Sequence, residues 1–169
     1  MVAGNKTGEI VGAAIRDGIQ GLLDRFVESW NGADIRGLAT CFSDSGDLVN
    51  TSGRMAHGRE AIALLLDEEW TTKFGGTRAL VRIESIRELA QAQALVDADM
   101  RIAGGGLSAA LRMHVVFLVA APNASRWRFE AARPYVLQAA DTRADRTCDK
   151  LFNARPASAD APDGAHPAR

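Results

Sequence analysis

The chain has 169 residues and a mass of 18.0 kDa, with 47% hydrophobic and 24% charged residues, which suits one domain with a sizeable core. A formal net charge of −1 and a pI near 6.3 leave no basic footprint, so nucleic acid is excluded as the expected partner. No run reaches the ~18 apolar residues of a membrane span, and Met1-Val-Ala-Gly-Asn-Lys6 lacks the apolar core of a signal peptide, so no membrane association and a cytoplasmic location are expected.

Cys41 and Cys148 are too few and too far apart for a disulfide framework or a metal knuckle, and both read as reduced thiols. The histidines at 57, 114 and 166 lack ligand spacing. Neither a metal nor a cofactor is therefore expected.

Residues 1–14 read as an N-terminal extension. From Ile15 through Ile19, Leu22, Leu23, Phe26, Val27 and Trp30, apolar residues recur every three or four positions, the mark of a helix with one buried face. Asn31-Gly32 ends it, and Asp34 is placed to cap a second helix whose inward residues are Ile35, Leu38 and Phe42. Residues 43–47 read as an acidic turn and 48–51 as a short strand. A third helix spans about 58–72, with Ile62, Leu65, Leu66 and Trp70 as its apolar set, before Phe74-Gly75-Gly76 breaks it.

From Thr77 the period changes to two. Strands are expected at 80–89, 92–102, 107–120 and 126–138, with glycines 104–106 forming a hairpin turn and not a phosphate loop. Helices first and a curved antiparallel sheet second define an α+β fold. Beyond residue 139 the composition turns to Ala, Asp, Arg and Pro, which reads as a largely disordered tail with a helical turn near Cys148, Leu151 and Phe152.

Several stretches resemble the nuclear transport factor two-like superfamily, which includes ketosteroid isomerases, SnoaL-type polyketide cyclases and limonene epoxide hydrolases. They are Phe26-Val-Glu-Ser-Trp-Asn-Gly-Ala-Asp34, Phe42-Ser-Asp44, and Gly53 followed by His57-Gly-Arg-Glu-Ala-Ile62. The resemblance covers about residues 15–138. Lys73-Phe-Gly-Gly-Thr-Arg78 with a late Trp127 is similar to the SgcJ/EcaC-type branch, many of whose members accompany polyketide or enediyne biosynthesis. It implies a cone-shaped roll with one deep pocket and a homodimer through the convex sheet face.

By the same likeness, the position of the isomerase's proton-shuttling carboxylate falls at Asn50, and that of its oxyanion-donating tyrosine at Phe26. An amide cannot shuttle a proton at neutral pH and a phenyl ring has no donor, so ketosteroid isomerisation is not expected. Asn50 either orients a ligand carbonyl or hydroxyl, or satisfies backbone groups in a turn.

The strand 95–102 alternates, with Asp97, Asp99 and Arg101 on one face and Val96, Ala98, Met100 and Ile102 on the other; its neighbour opposes Arg112 and His114 to Met113, Val115 and Phe117. If the charged faces look inward, Asp99 and His114 belong to an acid/base site reminiscent of the epoxide hydrolases. If they look outward, they form cross-strand ion pairs, the arrangement favoured by a pocket packed against Phe26, Trp30 and Trp70. His57 is a candidate for the pocket rim and Glu130 for the pocket floor. Arg59 is expected to pair with Asp44 or Asp47, while Cys41 lacks a base that would make it a nucleophile.

The expected pocket is lined by Phe26, Trp30, Met55, Trp70, Phe74, Met113 and Phe117, a surface suited to a hydrophobic small molecule. Three functions follow from it. The chain is an enzyme that cyclises, isomerises or hydrolyses a polyketide-like molecule, with Asp99, His114, Asn50, His57 or Glu130 supplying the chemistry. Alternatively it is a noncatalytic binding protein, or a dimeric scaffold whose pocket is filled by its own side chains.

Overall fold

The computed structural model of the chain describes residues 6–90, 92–122 and 126–137. Three helices, α1 (Lys6–Asn31), α2 (Ile35–Thr40) and α3 (Arg59–Glu69), precede most of a six-stranded sheet. Its strands are β1 (Phe42–Val49), β2 (Met55–His57), β3 (Thr77–Ala90), β4 (Gln93–Gly104), β5 (Leu111–Ala120) and β6 (Arg128–Val136). Their order is β2-β1-β6-β5-β4-β3. Only the β1–β6 pairing is parallel. The result is a curved, open α+β roll.

Helix α1 begins well inside the segment expected as an extension, and the exposed Ala13 and Ala14, strong helix formers, continue it without burial. Ile19, Leu22, Leu23, Phe26 and Trp30 are its buried stripe, laid against the inner face of the sheet. Trp127 crosses this helix at Gly18. A Cβ on Gly18 would run into the Trp127 indole, so only glycine admits the ring there. Asp34 caps α2, its Oδ1 accepting from Gly37 N at 2.8 Å.

Residues 43–47, expected as a turn, belong to β1. The strand is irregular there: its register with β6 shifts between Phe42 and Asp47, and a Cβ on Gly46 would meet the Phe129 carbonyl at 2.9 Å. Pairing with both β2 and β6 supplies the hydrogen bonds that polar sequence alone does not advertise. Arg59 holds this region, bonded to Asp44 at 2.9 Å and donating to the Phe42 carbonyl at 2.9 Å. Asp47 instead pairs with Arg133.

Helix α3 closes through a π-helical turn, Trp70–Phe74, before Gly75-Gly76. Such a turn carries an extra residue per hydrogen-bonded ring and re-aims the side chains that follow it. Here Phe74 is buried and Trp70 half-buried, and both rings contact Trp30, at centroid distances of 5.3 and 5.4 Å. The glycine hairpin is confirmed as a turn, with Gly104 and Gly105 at φ of 90° and 57°. β5 begins at Leu111, four residues later than the pattern predicts, and the expected tail beyond residue 139 lies outside the described residues.

Candidate functional site

The charged and apolar faces of the central strands separate cleanly. In β4, Val96, Ala98, Met100 and Ile102 are buried beneath the helices, and their partners Met113, Val115 and Phe117 in β5 lie beside them. Phe117 stacks on Phe129 of β6 at 4.5 Å, and Phe26 meets Phe129 edge-on at 5.7 Å. This aromatic packing fills the closed part of the roll.

Between it and the far ends of α3 and β1 remains a cavity of about 60 Å³. Its walls include Phe26, Trp30, Phe74, Met113 and Phe117. Among the described residues, Asn50, Thr51 and Glu69 contribute the polar side chains of its lining, besides the Trp30 indole N–H. The volume lies well below the roughly 300–1,000 Å³ of most small-molecule sites.

Asn50 is 6% exposed and its amide is fully oriented. Oδ1 accepts from Ser52 N at 3.1 Å, Ser52 Oγ at 2.8 Å and Arg54 N at 2.8 Å. Two of these donors are backbone N–H groups, so the side chain can face only one way. Nδ2 then donates to Glu69 Oε1 at 3.0 Å. The amide thus satisfies the 50–54 turn, the second of the two readings of Asn50, and also donates to the pocket carboxylate.

Glu69 is the titratable residue of the cavity lining among the described residues. Burial pushes its carboxyl above the ordinary glutamate range; the Asn50 hydrogen bond and the charges of Lys73 and Arg54 pull the other way and do not cancel the shift. Lys73 donates to Thr51 Oγ1 at 3.3 Å, linking the π-helical turn to the 50–54 turn. Its ammonium also sits 4.8 Å from the Phe74 ring centroid.

Sequence reasoning missed Glu69, although a signal existed. Ile62, Leu65, Leu66 and Glu69 are spaced i, i+3, i+4 and i+7, which puts the carboxylate on the buried stripe of α3. A charge on such a stripe is the informative exception.

The other candidates lie elsewhere. Asp99 is buried on the outer face, paired with Arg112 at 3.0 Å and Arg101 at 3.6 Å. The hydrogen bond from Arg112 is the main cause that holds its carboxyl below the usual range. His114, on the same face, lies 3.2 Å from Asp97 and 3.6 Å from Glu84. Both are cross-strand pairs behind the pocket wall, because strand alternation that buries Met100 and Met113 turns them outward.

β2 buries Ala56, so its neighbours Met55 and His57 both point to solvent; Met55 is 67% exposed and neither belongs to the cavity. Glu130 sits where the β5–β6 register shifts and accepts from Ser43 Oγ at 2.9 Å, also outside the cavity. Trp70 supports Trp30 from behind instead of lining the space. Cys41 is buried and its thiol is pushed up by desolvation, which opposes a nucleophilic role.

No protein-family model matches the chain, and no curated protein matches it. Solved structures do. An uncharacterized protein with a cystatin-like fold from Caulobacter vibrioides superposes with a TM-score of 0.68 at 20% identity, covering 79% of this chain and 97% of its own. An NTF-2-like protein of unknown function from Shewanella oneidensis gives 0.62 at 18% identity, over 71% and 98%. A ketosteroid isomerase-like protein from Erwinia carotovora atroseptica gives 0.59 at 15% identity, over 71% and 94%. At such identities the likeness concerns architecture, and function must be argued from the site. The roll with its α1-covered sheet is the cystatin-like, nuclear transport factor two-like fold.

Proposed function

We propose that the chain binds a small hydrophobic molecule in the cavity beneath α1 and α3, and acts on it by cofactor-free acid/base chemistry through Glu69. The observation that carries this reading is a half-buried carboxyl, its pKa raised by burial, at the polar end of a mostly apolar space, where it can give or take a proton. Asn50 holds that carboxyl in place through a hydrogen bond whose geometry the turn dictates. A place in polyketide metabolism, as the Lys73–Arg78 likeness implies, belongs to the same proposal. The present cavity takes a polycyclic ligand only after its flexible wall residues move.

The test is native mass spectrometry and product analysis after incubation with a panel of aromatic polyketides, polyenes and terpenoid epoxides. Conversion that is lost in Glu69→Gln while binding persists supports the enzyme. Binding without conversion by the native chain makes it a carrier.

The small volume favours a second reading, a scaffold whose pocket is filled by Phe26, Trp30, Phe74 and Phe117. We also propose a homodimer through the outer sheet face, where Leu80, Tyr135 and Leu137 are exposed among the charges. Sedimentation of Tyr135→Glu against the native chain tests it: the variant should sediment as monomer.

A further inference from the structure

The polar end of the cavity has a lopsided hydrogen-bonding capacity. Asn50 Oδ1 already accepts three hydrogen bonds, so it has nothing to offer a ligand. Glu69 Oε1 accepts from Asn50, whereas Oε2 has no hydrogen-bonding partner among the described residues. Glu69 is only half-buried, so a ligand entering the apolar space meets a spare carboxylate acceptor at its polar edge, and a donor there replaces water on Oε2.

The electrostatics narrow the complement. Lys73 and Arg54 already place positive charge around Glu69. An ammonium ligand would lose its hydration among Phe26, Trp30 and Phe74 and still meet the Lys73 charge, while Arg54 is neutralised by its ion pair with Glu68. An anionic ligand would face the carboxylate itself. A neutral O–H donor pairs with Oε2 without either penalty.

Size narrows it further. Cavities of about 150 Å³ hold benzene, and this one offers about 60 Å³. Met100 and Met113 face one another across β4 and β5 in the wall and are the residues that can yield the missing room. Unbranched thioether side chains repack more readily than the surrounding rings.

We infer that the site selects a neutral single-ring molecule carrying a hydroxyl that donates to Glu69, an inference that rests on the cavity being a ligand site. The closing experiment uses four ring compounds of similar size on the full chain: phenol, toluene, benzylamine and benzoate. Affinities are read by calorimetry and ligand-observed NMR.

Phenol is expected to bind about tenfold or more tightly than toluene, as a hydrogen bond to a charged group allows, and more tightly than either ion. In Glu69→Leu the preference for phenol over toluene should vanish. In Ala132→Leu, which fills the space, both should weaken together. Equal binding of phenol and toluene, or tighter binding of benzylamine or benzoate, overturns the inference while leaving a ligand cavity in place. Failure of all four to bind a protein with an intact thermal transition overturns the cavity reading as well.

Discussion

Trp30 Nε1 donates to Thr77 Oγ1 at 3.1 Å, and Thr77 Oγ1 in turn donates to the Phe74 carbonyl at 2.7 Å. Through this buried relay the end of α1, the π-helical turn and the start of β3 share one set of hydrogen bonds. The indole that shapes the cavity wall is thereby held in a single orientation.

Thr77→Val keeps the volume but leaves both the Trp30 N–H and the Phe74 carbonyl without this partner. A loss of about 1–3 kcal/mol is expected. Trp30→Phe keeps the Thr77 to Phe74 bond and enlarges the cavity. Urea unfolding midpoints of the two variants should both fall, while ligand binding should rise only in Trp30→Phe.

Stability should depend on pH through Glu69 with a definite sign. Its folded pKa is raised by burial, so the folded state keeps a proton that the unfolded chain has already released. Unfolding free energy therefore falls as pH rises from the ordinary glutamate pKa through the raised folded value. Glu69→Gln should flatten that fall, measured as the difference between the two proteins' denaturation profiles across this window.

Asp99 has the opposite sign. The Arg112 hydrogen bond, with help from Arg101, holds it ionised, so its contribution is present above the unfolded aspartate pKa and is lost as pH drops through the lower folded value. Both arginines are more than half exposed, which limits the effect. Asp99→Asn should cost about 1–2 kcal/mol at neutral pH and leave ligand binding unchanged, because the residue lies behind the pocket wall.

Asn50→Asp would set a second carboxylate beside Glu69 and take away the donor that now satisfies it. The pair cannot easily ionise together, so the variant should be less stable at neutral pH than at pH 5. Asn50→Ala should lose about 2–3 kcal/mol at both values, since three turn donors lose their acceptor. Thermal melts at the two pH values distinguish them.

Gly18→Ala pushes a methyl group into the Trp127 ring and should cost about 1–3 kcal/mol. Trp127→Leu in the same chain should recover part of that loss. A double-mutant cycle read from denaturation midpoints measures the coupling.

Local patterns were enough to read the α1 stripe, the Asp34 cap and the alternation that divides β4 into an inner and an outer face. Each depends on a period or on neighbours close in the chain, and such spacings survive in sequence. β1 was hidden because its polar residues are held by partners from β2 and β6, with β6 about 85 positions downstream. Met55, His57 and Glu130 were misplaced because a three-residue strand and a register shift decide their directions.

The polar end of the cavity depends on tertiary structure for the same reason. Asn50 and Glu69 are 19 positions apart, on a turn and a helix end that meet only when α3 packs over β1. Composition and periodicity determine which side chains are buried. Which buried side chains touch, and hence the upward push on the Glu69 carboxyl, follows from the packing that half-buries it.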